Sequence, residues 1–283
     1  DLESALPKVR TTAQHKGFVT RGAVNAMLAK VYATQEPHDW NKVKQYCDAV
    51  IAGGYSLLAN YEQLWNNANE NSAEAIFEIN YDGGISDGNW GTKIFRGLDW
   101  KKFNLPSNDL EKAFIAENDM IRKNAAIIYL DVSGKWSDPH WPQTQYPFIN
   151  KWRNFNEGSS QNYIFIRLAD ILLLKAEALN ELGDPAGAAA LVNQIRSRVS
   201  LPNTTATSQA DMRLAIEKER RLELAFEGHR WFDLKRTTKS IDRGTISAPT
   251  TQAVLASGRR EWTWPIPQGE VDANGNIQQN TGY

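Results

Sequence analysis

The sequence holds a single cysteine, Cys47, in 283 residues. That excludes an intramolecular disulfide and any multi-cysteine metal site. Cys47 falls at an apolar helical position, so it is expected to be a buried, inert thiol. Histidine is scarce as well. His15, His38, His140 and His229 are scattered, and no His-Glu-x-x-His spacing occurs. No apolar run approaches the roughly 20 residues of a membrane span. Neither sign of charge dominates: the net charge is −1, which leaves no electrostatic footprint for nucleic acid or for an anionic membrane surface. The glycine-rich stretch 83–91 lacks the Gly-Lys-Ser/Thr of a phosphate loop, and no helix start is read after it. No Gly-x-Ser-x-Gly is present. Asp82, Asp87, Asn89 and nearby carbonyls offer oxygen ligands, but without an EF-hand pattern. No cofactor, no metal and no catalysis are expected.

What is present is patterning. At 41% hydrophobic content the chain can bury a substantial core. Thr20 can cap a helix with Ala23, Val24, Met27, Leu28 and Val31 on one face. Asp39 can cap a second helix, bearing Val43, Tyr46, Cys47, Val50 and Ile51, that Gly53-Gly54 stops. The pair reads as a helical hairpin of the tetratricopeptide kind. The pattern returns at 163–199. A nearly all-apolar helix, Ile164 to Leu182, ends at Gly183, and Asp184-Pro185 starts the next. The spacing between hairpins is not periodic, so a large insertion interrupts the scaffold.

Residues 217–236 read as a long spine helix stacked on the second hairpin. Met212, Ala215, Leu222, Ala225, Phe226 and His229 recur on one apolar stripe. Glu219 falls on that stripe, where a carboxylate needs a cation, with Arg167 or Arg196 as candidates. Glu219, Glu223 and Glu227 stack on one helix face. They cannot straddle a substrate as the two carboxylates of a glycosidase do, and they read as an ion-pair network with neighbouring arginines.

The stretch Glu-Arg-Arg-Leu-Glu-Leu-Ala-Phe-Glu-Gly-His-Arg-Trp-Phe-Asp-Leu-Lys-Arg at 219–236 closely resembles the C-terminal signature of SusD-like (SusD/RagB) proteins. Ile-Arg-Leu-Ala-Asp-Ile-Leu-Leu-Leu-Lys-Ala-Glu-Ala-Leu-Asn at 166–180 resembles that family's central helix. Trp-Pro-Ile-Pro at 264–267, with the closing Gln-Asn-Thr-Gly-Tyr, resembles its C-terminal end. The resemblance implies a lipid-anchored outer-membrane protein facing outward. Such a protein binds a glycan without catalysis and delivers it to a SusC-like TonB-dependent transporter. Residues 1–19 show no signal peptide and no lipid-acceptor cysteine. The chain therefore reads as the C-terminal part of a family member, or a short variant, with a membrane link only through an N-terminal lipid anchor outside it.

The expected fold is mostly α: one SusD-like domain over 1–283, with a helical-hairpin scaffold at 20–73 and 163–236. An irregular aromatic-rich lobe with a little β occupies 74–162, and an extended tail 237–283. Ala75–Ile79 reads as a strand, Ser107 as the cap of a modest helix, and the remainder of the lobe as loops. The ten tryptophans gather away from the helical segments. A sugar ring has an apolar C–H face and a hydroxyl rim, which flat indoles and amide or carboxylate side chains match. Trp90, Trp100, Trp136 and Trp141, among Asp87, Asn89, Asp99, Asn104 and Gln143, are the candidate glycan site, with Asn89 as its polar member. The alternative is a helical-repeat interaction scaffold without its own sugar site, its lobe tryptophans forming a mini-core.

Overall fold

The computed structural model describes residues 1–13, 15, 17–96, 98, 102, 104–139, 141–154, 158–237 and 264–280. The chain divides into two compact units, Asp1–Pro106 with Leu110–Arg230, and Ser107–Asp109 with Trp231–Tyr283.

In the first unit, α1 (Arg21–Thr34) and α2 (Trp40–Ile51) form a hairpin. Both caps work as the sequence indicates. Thr20 accepts from the Ala23 amide at 3.3 Å, and Asp39 from the Lys42 amide at 3.0 Å. Fully buried Ala26, Ala29 and Ala33 line the inner face of α1, and Val43, Cys47 and Val50 meet them from α2. Val31, expected on the buried face, is exposed. The small alanines carry the contact in its place.

The strand β1 (Ala75–Ile79) lies where the sequence reading places it. After it come α3 (Trp90–Arg96), α4 (Asn108–Ala116) and α5 (Met120–Ala126). The short strands β2 (Ile127–Leu130) and β3 (Tyr146–Ile149) pair antiparallel. The helix at 90–96, directly after the glycine-rich stretch, corrects the expectation of turns throughout, and Trp40 and Trp90 both sit in helices. β4 (Tyr163–Arg167) pairs antiparallel with β1, so the strand entering the lobe and the strand leaving it close its neck. This corrects the reading of 164–182 as one helix. Its first residues are strand, because an apolar run has no period of its own and the partner β1 decides.

α6 (Leu168–Glu181) follows and is buried on two sides. Ile171, Leu174 and Ala178 face the first hairpin. Leu172, Leu173 and Ala176 face α7 (Pro185–Arg198) and α8 (Gln209–Glu223) through Val192, Ile195, Met212 and Ile216. Burial on both sides explains its apolar run, residues 171–174. Asp184 caps α7 through the Gly187 amide at 2.8 Å, with Pro185 at its first position. The protein is thus mostly α, a tetratricopeptide-like scaffold carrying an irregular lobe with a little β.

The spine is the main correction. The helix stops at Glu223, and a turn with Phe226 at φ 65° and Gly228 at φ 83° leads to α9 (Arg230–Thr237). Ending the helix leaves carbonyls without intrahelical partners, and side chains supply them. The Glu223 carbonyl accepts from Tyr61, Lys151 and Arg167 at 3.0, 3.0 and 2.8 Å. The Glu227 carbonyl accepts from the Tyr163 hydroxyl at 3.0 Å.

In the second unit, Gln279 brackets Ile266. Its Oε1 accepts from the Ile266 amide and its Nε2 donates to the Ile266 carbonyl, both at 2.8 Å. A helix at Gln268–Ala273, α10, interrupts the expected extended tail. The polar stretch 238–263 lies outside the described residues.

Candidate functional site

A cavity at the base of the lobe, among the described residues, has a volume of about 590 Å³. Trp90 is at its edge, 38% exposed, with its indole N–H donating to the Ile85 carbonyl at 3.2 Å. The walls are aromatic: Phe95 and Trp152 meet edge-on at 5.2 Å between centroids, and Trp152 and Tyr163 at 6.1 Å. Tyr81 and Phe226 complete the rings, and Asn89 and Asn104 provide amides.

Close approach builds this wall. At Gly91 a Cβ would lie 2.7 Å from Trp152 Cζ3, so only glycine lets α3 lie against that indole. Gly88 meets Gly158 backbone to backbone, where a Cβ would lie 2.3 Å from the opposing Cα. Asn89 fastens the same seam. Its backbone amide donates to the Ser159 carbonyl, its side-chain amide donates to the Gln161 carbonyl at 2.9 Å, and its Oδ1 accepts from the Gly91 amide at 3.1 Å. Asn89 therefore lines the cavity with its amide engaged in holding the lobe together.

The other sequence candidates separate. Trp136 is 63% exposed and outside the cavity lining; the buried Lys102 donates to its carbonyl at 2.6 Å and lies 5.6 Å from its ring centroid. Trp141 is half-buried against the cluster of Val132, Tyr146 and Phe148. Trp100 lies outside the described residues. Trp152, Tyr163, Phe95, Tyr81 and Phe226 are cavity residues that sequence reasoning missed. They come from five separate segments, and the only signal for Trp152 was its place at the end of the aromatic, proline-rich stretch.

Behind the cavity lies the ion network. Arg167 donates to Glu227 at 2.6 and 2.8 Å, to Glu223 at 2.6 Å and to Glu74 at 2.9 Å. Lys151 pairs with Glu227 at 2.6 Å and stands 4.5 Å from the Trp65 ring centroid. Glu223 also meets Arg122 at 3.1 Å, and Arg198. Burial raises the Glu223 carboxyl, but Arg198, Arg167 and Arg122 outweigh it and hold the group well below the usual carboxylate range. Burial lowers Lys151 to about 8 despite Glu227. Glu219 is buried against Arg122 at 2.6 Å and Arg196 at 2.9 Å. One of its two expected partners is thus in place, while Arg167 serves Glu223 and Glu227. These carboxylates are held by cations and do not line the cavity, which suits structure and not proton transfer. Among the described residues no group of three or more acidic, histidine or cysteine side chains is placed to hold a metal.

The sequence profile of the SusD family matches residues 129–283. The chain belongs to the SusD family. A SusD-like protein P38 of Formosa agariphila is 38% identical over 148 residues, covering 48% of this chain and 28% of that one. A crystal structure of a SusD superfamily protein from Bacteroides vulgatus superposes with a TM-score of 0.80 at 22% identity, covering all of this chain and 66% of the other, and shows the SusD fold. A laminarin-binding SusD-like protein superposes at 0.71 with 28% identity, covering all of this chain and 67% of that one. The chain spans 28% to 63% of the length of the curated SusD-like relatives it matches.

Proposed function

We propose that the protein is a non-catalytic glycan-binding member of the SusD family. It takes an oligosaccharide or polysaccharide at the outward face of the outer membrane and passes it to a SusC-like TonB-dependent transporter. In the full-length protein a lipid at the N-terminus holds it there. The observation that carries this reading is the cavity walled by Trp90, Phe95, Trp152, Tyr163 and Phe226 with the amide of Asn104 among them. Ring faces cover the C–H face of a pyranose, and amides serve its hydroxyls. The laminarin-binding relative, alike over the whole chain, supports the same ligand class. Trp136 and Trp141, and from its sequence alone Trp100, are secondary contacts of a longer glycan, and Asn89 shapes the cavity wall.

Intrinsic tryptophan fluorescence, titrated with a panel of soluble glycans, tests this. Saturable binding that is lost in Trp90→Ala and weakened in Trp136→Ala, with folding intact, supports the reading. A panel without response in the folded protein favours an interaction scaffold.

A further inference from the structure

We infer that the cavity takes an uncharged glycan and discriminates against uronic-acid and sulfated ones. This rests on the glycan-binding reading above and adds the chemical class. Among the described residues, the lining contains rings, amides, glycines and Ile149, and no Asp, Glu, Lys, Arg or His. Two of the charges that adjoin lining residues in sequence are held in one ion pair. Lys151 directly precedes Trp152, and Glu227 lies between Phe226 and Gly228, all three of these neighbours being cavity residues. Yet Lys151 and Glu227 are both buried behind the wall and pair with each other at 2.6 Å. Arg167 closes on the same Glu227 carboxylate from a second direction. Further back, Arg122, Arg196 and Arg198 close on Glu219, Glu223 and Glu74. Among the described residues, the cations of this network are matched by its carboxylates.

An anionic sugar entering this space exchanges water for ring faces, whose quadrupole presents negative charge, and for amide groups. A carboxylate or sulfate transferred there without a cation is strongly disfavoured. A neutral sugar meets no such barrier, since its C–H face stacks and its hydroxyls pair with amides or remain in water. Binding built this way forms no ion pair and is therefore insensitive to salt.

The test is calorimetric titration of the whole chain with oligosaccharides in matched pairs, each before and after oxidation of its primary alcohols to carboxylates. A β-1,3-glucan, an α-1,4-glucan, a β-1,4-galactan and a mannan supply the pairs. The expected result is that a neutral member binds and its oxidised partner binds roughly tenfold more weakly or worse. The neutral affinity should hold within about twofold between about 0.05 and 0.5 M salt. Trp90→Ala and Asn104→Ala, both at exposed positions, should each weaken it. Equal or tighter binding of an oxidised partner, lost in Trp90→Ala, overturns the inference and leaves the glycan-binding reading standing. So does neutral binding that falls with salt. Binding that neither variant affects, or none by any pair, removes the glycan-binding reading for this cavity, and the inference with it.

Discussion

Arg167 Nε donates to Glu227 Oε2 at 2.6 Å, joining residues 60 apart in the chain. Arg167 ends the strand that closes the neck of the lobe, and Glu227 sits in the turn that interrupts the spine. One contact thus fixes the turn carrying Phe226 and Gly228 against the strand carrying Tyr163, two walls of the cavity.

Arg167→Met should therefore be severely destabilising. It leaves Glu227, Glu223 and Glu74 short of a cation inside the protein, and removing one partner of a buried pair costs about 3–5 kcal/mol. Urea unfolding reads this directly, as a lower midpoint. An unchanged midpoint would mean that the network contributes nothing net.

Acid should weaken the fold through His229 before it reaches most carboxylates. Burial lowers this imidazole from 6.5 to about 4, although Asp170 opposes the shift. Its Nδ1 faces the Lys30 amine at 3.2 Å. Between these two pH values the unfolded chain binds a proton that the folded chain does not. Stability then rises with pH across the window and is lost on acidification from 6.5 towards 4, by about 3 kcal/mol at most. Asp170, held well below its usual range by Lys30, His229 and Arg220 against the raising effect of burial, contributes at lower pH. Denaturation midpoints measured across the window should show the slope in the parent protein and a flatter line in His229→Gln.

Gly91→Ala should act on the cavity more than on the fold. The new methyl group meets the Trp152 ring at 2.7 Å, and the indole has to move. A cost of about 1–3 kcal/mol is typical of such overpacking. A thermal melt and a glycan titration of the same variant separate the two effects, and affinity should suffer more than the melting temperature.

Gly228→Ala tests the turn itself. At φ 83° a Cβ is strained, and here it would also lie 3.2 Å from the Tyr163 hydroxyl. The expected loss is about 1–2 kcal/mol. Gly269→Ala is the control. It lies within α10 with open space around it, where alanine is favoured by about 1 kcal/mol. Equal effects at the two positions would count against a requirement for the left-handed turn.

Much of the scaffold was legible because its signals are local. Thr20, Asp39 and Asp184 each cap the helix that follows them, and β1 reads as a short apolar strand by itself. Two of the errors share one cause, a partner distant in sequence. Ile164–Arg167 becomes strand because β1 is beside it. The spine stops after Glu223 because Tyr61, Lys151 and Arg167 donate to its last carbonyl. Arg196, 23 residues before Glu219, was within reach of sequence reasoning, whereas Arg122 is 97 residues away. The candidate site divides in the same way. Trp90 and Asn89 stand out by composition, but Trp152, Tyr163 and Phe226 become a wall only when the seam at Gly88 and Gly158 closes.

Cys47, sealed between the helices of the first hairpin, has a use that its inertness creates. Burial keeps the thiol protonated, so a thiol-modifying reagent reaches it only when that part of the scaffold opens. As the chain's single cysteine, it makes the rate of its own labelling a clock for scaffold opening. Glycan added to the lobe slows that clock only if occupancy of the cavity is felt as far away as the first hairpin.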